Sequence, residues 1–172
     1  IIQLDTPGGL VTSALDIART IRGFRDLKTI ALIDNKAYSA GAMIAVACDE
    51  IVMVPNAQMG DCAPITISHT GDVVAAAKAL SPVLADFRDS AQRNGYDPGV
   101  LEAMVNLEPV IYLVENDKGV RKAVGADDYK GLIADGAWKL VPGIPQPVDG
   151  PSTLLTVSTK DAVTLGLAKQ EV

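Results

Sequence analysis

Short apolar runs alternate with stretches of helical period from the first residue onward. Ile1 to Leu4 is an apolar run ending at Asp5-Thr6-Pro7-Gly8-Gly9, a strand feeding a turn. Val11 to Phe24 puts Ala14, Ile17, Ala18, Ile21 and Phe24 on one face and Arg19, Arg22 and Arg25 on the other, which predicts an amphipathic helix. Thr29 to Ile33 is uniformly apolar and too short for a helix, so it predicts a strand buried on both faces. Strand, helix and strand in this order predict a right-handed βαβ crossover. Asp34 to Ala37 then reads as a loop, and residues 40 to 48, nearly all small and apolar, predict a buried, closely packed helix. Ile51 to Val54 is the next strand, closed by Pro55-Asn56.

Gln58 to Asp72 is rich in Gly, Pro, Thr and Ser and reads as a long loop holding His69, the only histidine. Leu80, Val83, Leu84, Phe87 and Ala91 define a helix ending near Asn94-Gly95, with Lys78 at its entrance. Asp97-Pro98 opens a further short helix through Leu101 and Met104. Beyond Pro109 the pattern changes: Val110 to Val114, a polar turn and Val120 to Val124 predict a β-hairpin. A short helical stretch from Asp127 to Gly136, an extended stretch from Trp138 to Val141 and a proline-rich connection to Pro151 follow. Leu154 to Val157 is extended again, and a last helix from Asp161 to Leu165 closes at Gly166. No repeat stands out at a fixed period.

The chain has 172 residues, enough for one α/β domain with a core of its own. Aromatics are only 4% of residues, so that core must be built from Ala, Val, Leu and Ile. A net charge of −6 opposes nucleic-acid binding, which needs clustered Lys and Arg. Cys48 and Cys62 carry no metal or disulfide spacing and read as small core residues. No run of about 18 apolar residues is present, so no membrane span is expected. The abrupt start at Ile1-Ile2-Gln3-Leu4 reads as a strand already under way, with an N-terminal part missing.

Tyr38-Ser39-Ala40-Gly41-Ala42 lies between the apolar strand and the small-residue helix. Small neighbours suit a sharp turn that presents a serine hydroxyl to a substrate carbonyl. By itself the stretch fits an N-cap better, with the hydroxyl accepting a backbone N–H. A serine nucleophile needs a base, and His69 and Lys78 are the candidates. Lysine serves only when neutral, which requires desolvation, and Val73 to Leu80 surrounds Lys78 with apolar residues. Pro7-Gly8-Gly9 suits backbone donation to an oxyanion as well as a plain turn.

Leu4-Asp5-Thr6-Pro7-Gly8-Gly9-Leu10, Tyr38-Ser39-Ala40-Gly41, Met59-Gly60 and Lys78, in this order and spacing, resemble the NfeD family. So do Lys160-Asp161-Ala162-Val163 and Leu165-Gly166-Leu167-Ala168 near the end of the chain. The family comprises ClpP-like, crotonase-fold serine proteases related to signal peptide peptidase A. The resemblance implies a single α/β domain over residues 1–172, a βαβ superhelix with a parallel sheet, lacking the family's first strand and helix. Residues 110–150, with the hairpin, would be an insertion in the C-terminal third. Ser39 would be the nucleophile and Lys78 the general base of a Ser-Lys dyad. The backbone N–H groups of Gly9 (in preference to Gly8) and Ala40 would form the oxyanion hole. A ClpP-type triad would want a histidine near Pro64, so His69 is the runner-up base.

The resemblance further implies a serine endopeptidase without cofactor or metal, cutting apolar segments of a protein substrate such as a stomatin-like membrane protein. A homo-oligomer, at least a dimer, is implied, and membrane association with the domain on the non-cytoplasmic side. Two alternatives compete. A crotonase-type acyl-CoA enzyme would use the same oxyanion geometry, but the low Lys and Arg content disfavours a CoA phosphate site. A catalytically silent scaffold binding a membrane partner would have no evident need for Ser39, Lys78 and both glycines together.

Overall fold

Parallel pairing organises the first third of the chain, which a computed structural model describes over residues 1–67, 73–75 and 77–171. Strands β1 (Ile2–Thr6) and β2 (Ile30–Tyr38) run parallel, with Leu4 opposite Ile33, and helix α1 (Val11–Gly23) connects them. α1 buries Ala14, Ala18 and Ile21, whereas Ile17 and Phe24, expected on the same buried face, are exposed at its edge. Helix α2 (Ala40–Ala47) follows β2 almost directly, and every residue in it except Ile44 is buried. Its Ala and Gly side chains let the backbone lie close to the sheet, at the density of a protein interior.

Asp34 to Ala37 is not the expected loop but the second half of β2. The reason is pairing: Ile30–Ile33 lies parallel to β3 (Glu50–Met53), and Lys36–Tyr38 lies parallel to β4 (Gln58–Gly60). Ladder hydrogen bonds thus hold extended a polar stretch whose residues alone favour a turn. Burial of β2 is also one-sided, since Ala31 and Ile33 are buried while Ile30 and Leu32 are partly exposed.

The six-stranded sheet has the order β10-β4-β2-β3-β11, with β1 also on β2. Strand β10 (Thr156–Ser158) is antiparallel to β4, and β11 (Gln170–Glu171) is parallel to β3. The expected loop from Gln58 holds two strands instead, β4 and β5 (Ile65–Ile67), and β5 pairs with β6 (Val73–Ala75) as an antiparallel ribbon. Residues 68–72, and with them His69, lie outside the described residues. Helix α3 (Ala77–Asn94) carries Lys78 in its first turn. Pro82 within it has no N–H to give to the Lys78 carbonyl one turn earlier.

Helix α4 (Pro98–Ala103) is capped by Asp97, one of whose carboxylate oxygens accepts the Gly99 N–H at 2.9 Å. The other accepts the Ala123 N–H at 2.7 Å and so ties the main body to a second sheet. That sheet is the predicted hairpin, β7 (Ile111–Asn116) with β8 (Arg121–Gly125), extended by β9 (Trp138–Leu140). Helix α5 (Ala126–Ala134) stacks Tyr129 on Tyr112, with ring centroids 4.1 Å apart. Helix α6 (Thr159–Thr164) opens at Ser158, whose hydroxyl caps the Asp161 N–H. The core includes Met43, Met53, Met59, Met104 and Phe87 beside the Ala, Val, Leu and Ile expected, and Cys48 and Cys62 are buried free thiols.

Candidate active site

β2 delivers Ser39 into a turn so sharp that its backbone takes φ 52° and ψ −116° before α2 begins. For a side chain with a Cβ this is a strained conformation, costing about 1–3 kcal/mol and kept only where the surroundings enforce it. Three contacts do so. The Ser39 N–H donates to the Gly60 carbonyl at 2.9 Å, and the Ser39 carbonyl accepts the Met43 N–H at 3.2 Å. The same carbonyl accepts the Cys62 thiol at 3.6 Å. Burial, with Asp61 nearby, pushes the Cys62 thiol far up, so it stays a protonated donor. The Ser39 hydroxyl makes no cap bond to α2, so the N-cap alternative fails.

The Pro7-Gly8-Gly9 turn packs directly on this serine. At Gly8, φ is +133° and an added Cβ would stand 3.0 Å from the Ser39 Cβ and 3.4 Å from its Oγ, so a larger residue would be strained and would press on Ser39. Thr6 closes the turn: its hydroxyl donates to the Gly8 carbonyl at 3.1 Å and faces the Gly8 N–H at 3.2 Å. That occupies the Gly8 N–H and leaves the Gly9 N–H without a partner among the described residues. A Cβ on Gly9 would meet the Ala40 Cβ at 3.6 Å, so Gly9 lies against the first residue of α2. The N–H groups of a helix's first turn have no intrahelical partner, and that of Ala40 is one of them.

The structure therefore brings Gly8, Gly9, Ser39 and Ala40 together. It does not enclose Lys78, which is exposed, against the expected desolvation. The apolar run before it is drawn into β6, paired with β5, so adjacency in sequence does not become enclosure in space. No hydrogen bond among the described residues joins Lys78 to Ser39. Pro64 is buried, and the alternative base His69 is among the residues not described. Among the described residues no three His, Cys, Asp or Glu side chains are grouped as metal ligands.

Three contributors escape a reading of the sequence. Thr6 lies inside the turn motif, but nothing in the order of residues says that its hydroxyl locks Gly8. Gly60 carries the acceptor for the Ser39 N–H, and its φ of +133° places a would-be Cβ only 2.2 Å from the Leu155 carbonyl oxygen. Cys62 reads as a core residue, which it is, and its thiol also buttresses the elbow.

Residues 1–131 match the NfeD1b N-terminal domain family. The membrane protein NfeD1b of Bacillus subtilis (strain 168) is 36% identical over 127 residues, 74% of this chain and 28% of its own length. The membrane-bound protease PH1510 of Pyrococcus horikoshii is 30% identical over 109 residues, 61% of this chain and 25% of that protein. The chain thus spans well under half of either relative. Solved structures of the 1510-N membrane-bound stomatin-specific protease superpose with a TM-score of 0.62 at 20% identity, covering 99% of this chain and 59% of one of those chains. One is a lysine-to-alanine mutant in complex with a substrate peptide, and another is a serine-to-alanine mutant. The likeness fixes the fold as ClpP-like, and the match over residues 1–131 shows that the chain belongs to the NfeD1b N-terminal domain family.

Proposed function

We propose that this domain is a serine endopeptidase in which Ser39 attacks the scissile carbonyl and Lys78 is the base. The strained elbow at Ser39, backed by the Gly8 turn, carries the reading, because it holds a hydroxyl unused by the helix beside the Gly9 N–H, which has no partner among the described residues. Lys78 takes the Ser39 proton as Oγ bonds to the carbonyl carbon. The N–H groups of Gly9 and Ala40 receive the developing oxyanion, each such donor being worth about 3 kcal/mol of barrier. The C–N bond then breaks, Lys78 returns the proton to the leaving amine, and water releases the acyl group from Ser39 by the reverse route. Because Lys78 is exposed in the free domain, its desolvation is assigned to the bound peptide, which would have to cover the α3 entrance.

The relatives named above support a protein or peptide substrate and membrane association, and by the resemblance the substrate is an apolar segment of a stomatin-like protein met by a homo-oligomer on the non-cytoplasmic side. No helix among the described residues is long and apolar enough to cross a membrane. The test is cleavage of pooled apolar-rich peptides, followed by mass spectrometry, with the protein and its Ser39→Ala variant side by side at mildly alkaline pH. Cleavage that disappears with Ser39 supports the reading. Equal cleavage by both, or by neither, contradicts it.

A further inference from the structure

We infer that Asn94, at the far end of α3, is the positioning residue that keeps α2, and with it Ser39, in register against the Gly8–Gly9 turn; the inference rests on Ser39 being the nucleophile. α2 is made of Ala, Gly, Met, Ile and Val and has no polar side chain of its own. Apolar packing has no preferred direction along a helix axis, and side chains this small give shallow ridges. Directional restraint must come from the helix ends. At one end the Ser39 N–H is held by the Gly60 carbonyl. At the other, the Val46 and Cys48 carbonyls both accept from the Asn94 side-chain amide, at 3.0 and 2.7 Å. An amide nitrogen has two hydrogens, so one side chain satisfies both carbonyls and both of its donors are used.

A polar stripe along α3 ties the helix that carries Asn94 to α1. Arg22 of α1 bonds the Asp86 carboxylate and donates to the Ser90 hydroxyl at 3.1 Å, and both acceptors are buried. Arg93 answers by donating to the Arg22 carbonyl at the end of α1, at 2.7 Å. α3 therefore grips the C-terminal ends of α1 and α2. Their N-terminal ends abut Gly9 and Ser39, and Lys78 stands at the N-terminal end of α3 itself. The three parts of the proposed chemistry hang from one polar joint at the opposite end of the helices.

Without the Asn94 donors two carbonyls lose their partners, and α2 shifts to recover them. A misplacement of about 1 Å at a reacting group can cost about 10²-fold in rate. The experiment measures kcat and KM on a cleaved peptide, the rate of fluorophosphonate labelling of Ser39, and the melting temperature. It compares wild type, Asn94→Asp, which turns a carboxylate on the carbonyls, Asn94→Ser, which keeps one donor, and Arg88→Ala, an exposed control on the same helix. The expectation is a kcat and labelling rate down about tenfold in Asn94→Ser and about 10²-fold in Asn94→Asp, with KM within about twofold. Arg88→Ala should match wild type. If Asn94→Asp does not fold, Asn94→Ser decides. A lowered melting temperature with kcat and labelling unchanged in Asn94→Ser overturns the inference alone. A wild type that neither cleaves nor labels at Ser39 removes the nucleophile reading first and the inference with it.

Discussion

Around Ser39 each neighbour is fixed by a short contact, whereas Lys78 stands exposed on the first turn of a helix. The elbow has Gly8 within 3.0 Å of a would-be clash, Gly60 and Cys62 bonded to its backbone, and a Cβ on Gly41 would come 2.5 Å from Thr6 Cγ2. Strain of this kind is affordable only where packing over-determines the backbone, and here both the sheet and the turn supply it. Among the described residues no hydrogen bond or ion pair fixes the Lys78 side chain in this way. The serine side is thus preorganised in the free domain, and on our account the base side is completed by the peptide.

Substitutions on the two sides should therefore fail in opposite ways. The largest effect is expected for Lys78→Ala: peptide turnover should fall about 10²–10⁴-fold, the worth of a general base. Its unfolding free energy should stay within about 0.5 kcal/mol of wild type, as for other exposed positions. Lys78→Arg should be as inactive, since Arg cannot give up its proton. Gly60→Ala is the converse. Its Cβ would sit 2.2 Å from the Leu155 carbonyl oxygen at φ +133°, so the β4–β10 pairing must part. Stability should drop by about 3 kcal/mol, read by denaturant unfolding, and activity should go with it.

The smallest effect lies away from both. Asp149 is buried, accepts from Thr153 at 3.3 Å and has one carboxylate oxygen without a partner among the described residues. Desolvation raises its pKa in the fold, so its contribution is most favourable below the unfolded value near 3.8 and is lost as pH rises through the folded one. Asp149→Asn should gain about 1 kcal/mol at neutral pH. The gain should vanish in melts below about pH 4, with kcat unchanged throughout.

Much of the scaffold is legible in the sequence because periodicity reports burial. The stripe of α1, the small-residue run of α2, Asp97-Pro98 before α4 and the 111–125 hairpin all correspond to elements. The second half of β2 and the strands after Gln58 are not legible. Asp34-Asn35-Lys36 is turn chemistry, and only pairing with β4, distant in sequence, holds it extended. At the site, the order of the turn, elbow and lysine motifs is readable, but the enclosure of Lys78 is not, since apolar neighbours in sequence can leave by way of a strand. The buttresses Thr6, Gly60 and Cys62 show only in three dimensions, where their hydrogen bonds close on Ser39 and Gly8.

The most direct measurement is the pH dependence of labelling by a fluorophosphonate carried on a peptide, so that the peptide and the electrophile occupy the site together, with the modified residue located by peptide mapping, for wild type and Lys78→Ala. A single adduct on Ser39 is expected, forming at a rate that rises into the alkaline range in wild type and is slow and flat in Lys78→Ala. An adduct elsewhere, or equal rates and pH profiles in both proteins, would contradict the assignment of Ser39 and Lys78.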